Sequence, residues 1–361
     1  MQLVSLAIRD FRNIKSLDLD FTDSLGRVNQ VTAIVGPNTS GKTTILDAIA
    51  LSIGRITNSA ALRPGCTMRP STIVRSGAIQ AKVKAVVHFS PDEVEATKQL
   101  FHLSDSKVYI PECEKVTIDW TFPDRDSRSG ISRDQPKNSR RLFYARATAA
   151  NLLSTRRADT SWFNRTGGVF TFDQQRTGMG KTIRRDVWEI IQPTSGSTTD
   201  DRHTDDPRTI LLALAVQSKF PSADPEQVDQ FGLIQKKYNK LCAPHQIIGA
   251  KRNELNELDI SFSTNGYEFW YEGLSSGEQM ILLFLIVMVT EHINRSIVLI
   301  DELELHQHPI WQRRLLNILP KIGLENQFIF TTHSPYLREV MPQEAIIDLG
   351  DLETDNQNEQ V

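Results

Sequence analysis

The chain has 361 residues, 39% of them hydrophobic and 24% charged, with a net charge of −3. That is the composition of an ordinary soluble protein of one large or two ordinary domains, with apolar residues enough for a sizeable core. Three widely spaced cysteines (Cys66, Cys113, Cys242) make neither a disulfide framework nor a zinc pattern, and the opening MQLVSLAIRDFRN lacks the layout of a secretion signal. The apolar run MILLFLIVMV at 280–289 is too short to span a bilayer, so a cytoplasmic protein with no membrane partner is expected.

The charge is unevenly placed. Residues 123–185 hold fourteen Lys/Arg against five Asp, a net of +9 that leaves −12 for the rest. Two parts so different in sign face different partners or each other.

In chain order, LVSLAIRDF and LDLDF alternate as short strands, and VTAIV at 31–35 reads as a buried strand entering a glycine turn. A helix, KTTILDAIALSIG, follows. AKVKAVVHF at 81–89 alternates as a half-exposed strand, and a helix at 92–103 and strands at 107–110 and 115–122 are expected next. The polar, arginine-rich stretch 123–141 reads as loop, RLFYARA and GVFTFD as strands, and 183–192, 207–219 and 225–241 as helices. From 246 the pattern gives two strands, then a helix at 276–293, a strand at 296–301, a helix at 309–318, a strand at 327–331, a helix at 335–340 and a strand at 345–349. Such alternation predicts a mainly parallel α/β sheet at the C-terminal end, with no heptad pattern for a coiled-coil arm.

Four segments carry chemistry. GPNTSGKTT at 36–44 fits G-x-x-x-x-G-K-[ST], between a buried strand and a helix. Its glycines let backbone N–H groups wrap around phosphate, Lys42 neutralises phosphate charge, and Thr43 suits a Mg²⁺ ligand. SIVLIDELELHQHP at 296–309 ends a buried strand in Asp301 and Glu302, a metal-holding carboxylate followed by one able to orient or deprotonate water. FIFTTHSP at 328–335 ends another strand in His333, able to donate to phosphate and to position water. LSSGEQ at 274–279 opens an apolar helix; Ser275 and Glu278 have capping-box spacing, and the same helix start can present Ser275 and the Gly277 N–H to a phosphate.

In this order the segments, with the opening IRDFRNIKSLDLDF, resemble ABC-type ATPases of the SMC/RecF/OLD branch, catalogued as AAA-type ATPases of RecF/OLD character, over about the first 55 and last 90 residues plus the strands near 81–89. The resemblance implies an α/β P-loop NTPase head, a mixed β-sheet with flanking helices, carrying an inserted mixed α/β lobe. Its parts would be residues 1–90 with the Walker A loop, 91–245 as the inserted basic lobe, and 246–361 with the remaining motifs. By position it makes Gly36, Pro37, Asn38, Thr39, Ser40, Gly41, Lys42, Thr43 and Thr44 the ATP-binding loop, and Thr43 and Asp301 the Mg²⁺ ligands. Glu302 and His333 would be catalytic, with Ser275, Gly277 and Glu278 in the signature motif. Leu303 and Gln307 depart from the commoner DEPELHLHP pattern, and Gln174 or Gln175 is the candidate Q-loop residue.

The resemblance further implies a homodimer, or a higher oligomer built from it, with two ATPs sandwiched head to tail. It implies a switch in a nucleic-acid-related process, anti-phage defence or DNA repair, as with the ATPase subunit of Septu-type systems. Since the chain ends soon after His333, a nuclease effector is expected on a separate polypeptide. The lobe 123–185, with Phe143, Tyr144, Trp162, Phe163, Phe170 and Phe172 among its arginines, has the composition of a DNA or RNA surface, or of a core with solvated arginines around it. A non-catalytic ATP-gated scaffold and a transporter's nucleotide-binding subunit are the alternatives.

Overall fold

The structure is a computed structural model that describes residues 1–57, 70–106, 108–123, 130–155, 157–172, 206–220, 229–305 and 308–350. The chain forms two compact units, one of Met1–Gln174, Ile293–Glu304 and Leu319–Val361, the other of Gln175–His292 and Leu305–Ile318. The unit boundary thus falls at 174/175, inside the 91–245 segment.

The first unit holds two five-stranded sheets. One is antiparallel, in the order β2-β1-β4-β5-β6, from β1 (Gln2–Phe11), β2 (Ile14–Asp20), β4 (Ala81–His88), β5 (Lys115–Phe122) and β6 (Gly130–Ile131). Strand β4 buries Ala81, Val83, Ala85 and Val87 and turns Lys82 and Lys84 outward, as a sheet with one covered face requires. The other sheet is parallel, in the order β13-β3-β12-β11-β7, from β3 (Val31–Val35), β7 (Val169–Phe172), β11 (Ile297–Ile300), β12 (Gln327–Thr332) and β13 (Ile346–Asp348). β11 and β12 are buried at every position, and β11 accordingly reads as an unbroken apolar run while β12 has one at Phe328–Phe330 between buried Gln327 and Thr331. Register decides what meets at the carboxyl edge: Thr332 pairs with Val35 and Ile300 with Phe330. The residues after β3, β11 and β12 therefore emerge together, where ligands bind open α/β sheets.

Helix α1 (Lys42–Ile49) follows β3 and runs on through a π-helical turn at Ala50–Gly54. α2 (Pro91–Leu103) starts with Pro91 at its first position behind a complete Ser90/Glu93 capping box. In the second unit, α4 (Pro207–Gln217), α5 (Gln230–Leu241) and α6 (Ser276–Thr290) accompany an antiparallel sheet in the order β10-β9-β8, from β8 (Gln246–Arg252), β9 (Leu258–Thr264) and β10 (Tyr267–Trp270). α7 (Pro309–Ile318) belongs to this unit and α8 (Pro335–Val340) to the first. Among the described residues no helix is long and apolar enough to cross a membrane.

Some sequence expectations are corrected. RLFYARA is helical, a 3₁₀ turn at Ser139–Tyr144 leading into α3 (Ala145–Ser154). Buried Ala145, Ala149 and Leu152 recur at helical spacing, which outweighs the short run of Leu142, Phe143 and Tyr144 before them. Residues 108–110 form no strand, β8 to β10 add a third strand after 246, and that sheet is antiparallel and separate from the parallel one. The 183–192 helix, Gln174, Gln175, Arg125, Arg128 and Arg156 lie outside the described residues.

The aromatics of the basic stretch pack within the protein, Phe163 buried and Tyr144, Trp162 and Phe170 half-buried. Phe143 and Phe172 are buried, and Phe143 meets Phe89 edge-on at 5.0 Å. Arg146 lies between Phe163 (4.6 Å) and Phe170 (5.0 Å), and Arg165 stacks on Trp162 while pairing with Asp92. Of the basic residues described here, Arg133, Lys137, Arg140 and Arg141 stay exposed with no carboxylate partner among the described residues.

Candidate functional site

The loop between β3 and α1 is built to leave donors free. Gly41, at φ +96, serves as N-cap of α1 without a side-chain cap, and no acidic residue occupies the first turn. The first N–H groups of α1 therefore lack the usual capping oxygen, the condition under which a helix start receives an anion. Gly36 sits at φ +155, and a Cβ there would come 2.8 Å from Ser40 Oγ, so the loop closes on itself where only glycine fits. That serine hydroxyl is buried and has no hydrogen-bond partner among the described residues. A phosphate oxygen is an acceptor that this orphaned buried hydroxyl could serve.

Lys42 is only 5% exposed, and its amine donates to Gly36 O (2.9 Å) and Pro37 O (2.6 Å). Burial holds this ammonium below the ordinary lysine range, and the charges of Asp301, Glu302 and Glu304 pull the other way. A desolvated cation resting on two neutral carbonyls is poised for a stronger, charged acceptor.

Thr43 Oγ1 donates to the Asp301 carboxylate, 3.0 Å from Oδ1 and 3.2 Å from Oδ2. Asp301 is fully buried and also accepts from Thr331 Oγ1 at 2.7 Å. A hydroxyl and a carboxylate side by side form a hard oxygen set that suits Mg²⁺, which needs few protein ligands because phosphate oxygens and water complete its shell. Among the described residues no cluster of three or more His, Cys, Asp or Glu is placed to hold a metal.

Glu302 has φ +50, a conformation that costs a non-glycine residue about 1 kcal/mol. Thr331 helps to hold it there, since Glu302 N–H donates to Thr331 Oγ1 at 2.8 Å while the same hydroxyl donates to Asp301. Leu303, where proline is commoner, is buried and donates its N–H to Thr331 O at 3.1 Å, a bond proline could not make. Gln307 lies outside the described residues. The imidazole of His333 is exposed, and its backbone N–H donates to Glu304 Oε1 at 2.5 Å; Glu304 Oε2 is buried without a partner among the described residues.

The opening FRN segment bears on the same loop. Phe11 pairs with Ile14 across a two-residue turn, with Arg12 at φ +52. Asn13 Nδ2 donates to Thr39 O (2.9 Å), its Oδ1 accepts from Thr44 Oγ1 (3.0 Å), and Arg12 forms an ion pair with Asp47. Sequence reading missed Asn13, Thr331 and Glu304 as site residues. Only the Asn in FRN and the doubled threonine before His333 hinted at them.

The structure thus brings 36–44, Asp301, Glu302 and the backbone of His333 to one edge of the parallel sheet in the first unit. Ser275, Gly277 and Glu278 belong to the second unit, at the start of α6. There Ser275 accepts from Glu278 N–H while Glu278 Oε2 accepts from Ser275 N–H (3.0 Å) and Oγ (2.7 Å), a complete capping box. Ser275 and Ser276 are exposed, and Gly277 and Glu278 are buried.

Comparison with known proteins gives concordant matches. A family model described as an AAA domain covers residues 5–259, and one described as "AAA domain, putative AbiEii toxin, Type IV TA system" covers 196–339. The Septu protein PtuA of Bacillus thuringiensis is 32% identical over 106 residues, 26% of this chain and 27% of that protein. The OLD nuclease of Thermus scotoductus is 24% identical over 359 residues, 95% of this chain and 61% of that protein. The chain therefore spans 27% and 61% of these two curated relatives, less than two thirds of either. The solved SMC head bound to the C-terminal winged-helix domain of ScpA aligns at a TM-score of 0.54 with 17% identity, over 96% of this chain and 94% of that one, and shares its α/β P-loop fold.

Proposed function

Since the chain belongs to the AAA-domain family of ATPases, we propose that it binds Mg-ATP at the β3–α1 loop and hydrolyses it in a dimer whose two ATPs are sandwiched head to tail. The observation that carries this is the converging set of Lys42, Thr43, Asp301, Thr331 and Glu302, in which an orphaned hydroxyl and a parked ammonium await an anion. Gly36 to Thr44 wrap the phosphates, and Lys42 leaves its two carbonyls for them. Thr43 and Asp301 hold the Mg²⁺, which offsets phosphate charge when bound. Glu302 accepts the proton of the attacking water, and His333 donates to the terminal phosphate, so that water and ATP become ADP and phosphate.

The partner's signature segment closes each site. Ser275 is exposed at the N-terminus of the 15-residue α6 and meets the ATP held by Lys42 of the partner protomer. Replacing Ser275 by Ala is expected to weaken ATP-driven dimerisation and cut turnover about ten-fold, while ATP binding by the monomer stays near the parent's. Light scattering with and without Mg-ATP, beside a nucleotide titration, checks it. Loss of a cap also costs about 1 kcal/mol of helix stability, which a thermal melt registers separately.

Coupled to hydrolysis, the dimer acts in the cytoplasm as a switch in a nucleic-acid-related process of the anti-phage or DNA-repair kind, controlling a separately encoded effector such as a nuclease. Nucleic acid, DNA or RNA, binds the basic stretch 123–185 through phosphate contacts, since its described aromatics are committed to packing. Changing Arg133, Lys137, Arg140 and Arg141 together to Glu is expected to abolish a salt-sensitive gel shift of duplex or single-stranded nucleic acid. If the parent shifts none at low salt, this surface has another role.

A further inference from the structure

Glu278 is 3% exposed, and both its carboxylate oxygens are engaged. Oε2 accepts from the backbone and the hydroxyl of Ser275, inside the capping box. Oε1 faces Nδ1 of His245, the one donor among the described residues that reaches Glu278 from outside its own helix turn. His245 precedes β8 and is well fixed. Its backbone N–H donates to Cys242 O at 2.9 Å, and its ring meets Phe269 edge-on at 5.4 Å, with Phe269 stacked on Phe262 at 5.8 Å.

None of the other titratable groups near Glu278 donates a hydrogen bond to its carboxylate among the described residues. Burial pushes the Tyr238 hydroxyl and the Cys242 thiol up, so both stay neutral, and Arg314 directs its Nη1 to Ala243 O (2.8 Å) and Leu241 O (3.4 Å). A serine hydroxyl has one hydrogen, and Ser275 gives it to Glu278 Oε2 at 2.7 Å. A phosphate oxygen needs that same hydrogen. Ser275 can serve a nucleotide as donor only if Glu278 releases it, and a buried carboxylate releases a donor readily only when its other bonds suffice.

Resting on the reading that Ser275 meets the partner's ATP, we propose that His245 is a positioning residue for Ser275: its Nδ1–H holds Glu278 so that the serine hydroxyl can exchange the carboxylate for a phosphate oxygen. Without His245, Glu278 keeps an unpaired buried oxygen and leans on the serine. An Asn at 245 can present an amide N–H close to the place of Nδ1.

The test measures kcat, KM and ATP-driven dimerisation for H245A, H245N, S275A and the H245A/S275A double variant, with monomer ATP binding and thermal melts alongside. H245A is expected to lower kcat about ten-fold with monomer ATP binding unchanged, H245N to recover most of the loss, and H245A to cost nothing further once Ser275 is gone. Additive losses in the double variant, failure of H245N to recover, or an H245A that matches the parent while S275A is impaired would each overturn the proposal. If S275A itself matches the parent, the head-to-tail reading beneath it fails instead. Should H245A not fold, the comparison of H245N with the parent and with S275A decides in the same way, since a folded H245N with an S275A-like loss also counts against it.

Discussion

Replacing Lys42 by Ala is expected to lower ATP affinity on the order of 100-fold, because a charge-assisted contact to phosphate worth about 2–3 kcal/mol disappears. The amine sits 5% exposed on Gly36 O and Pro37 O, surrounded by the charges of Asp301, Glu302 and Glu304. Removing it leaves those three acids facing the phosphates with one cation fewer, so the loss exceeds that of a surface lysine. The fold should survive, since the hydrogen bonds between Asn13, Thr39 and Thr44 still brace the loop. A calorimetric titration with Mg-ATP reads the affinity directly, and an unchanged dissociation constant would place the nucleotide elsewhere.

Replacing Glu302 by Gln is expected to cut turnover by about 10²–10³-fold and leave ATP binding intact, since an amide cannot take the proton of the attacking water. The substitution is a clean probe of chemistry for a structural reason. The backbone at 302 is held at φ +50 with its N–H on Thr331 Oγ1, and Gln matches Glu in size and adopts the same conformation, so the strain is equal in both chains. ATP that is bound and not consumed keeps the sandwich closed, and the variant should accumulate as a dimer in Mg-ATP. Turnover equal to the parent's would remove Glu302 from the chemistry and favour a scaffold gated by binding alone.

Much of the site was legible because its chemistry lies in short segments at strand ends. The loop 36–44, Asp301, Glu302 and His333 each follow a strand whose apolar run announces it, and parallel pairing of β3, β12 and β11 brings their ends together. What sequence reading missed depends on partners distant in the chain. Thr331 reaches Asp301 and Glu302 across about thirty positions, Asn13 reaches Thr39 and Thr44 at a similar separation, and Glu304 faces the His333 N–H. No local period marks such contacts. The RLFYARA segment misleads for the opposite reason, since the short apolar and aromatic run of Leu142, Phe143 and Tyr144 stands before a longer helical spacing of Ala145, Ala149 and Leu152. Composition could not tell a stacking surface from a core either, and Arg146 between Phe163 and Phe170 shows these aromatics packing within the protein. The sequence of the signature segment supports both a cap and a phosphate contact. The cap is present in full, and the phosphate contact is the step that its exposed serine supports.

Head-to-tail sharing of ATP is the central claim, and mixing two disabled variants tests it most directly. K42A lacks its own nucleotide loop and keeps Ser275, while S275A keeps the loop and lacks the serine. In a mixed dimer one composite site has both Lys42 and Ser275 and the other has neither. Random pairing makes half the dimers mixed, so ATP turnover in the mixture should rise well above the average of the two variants alone, towards roughly a quarter of the parent's rate. A mixture that turns over only at that average would contradict the account.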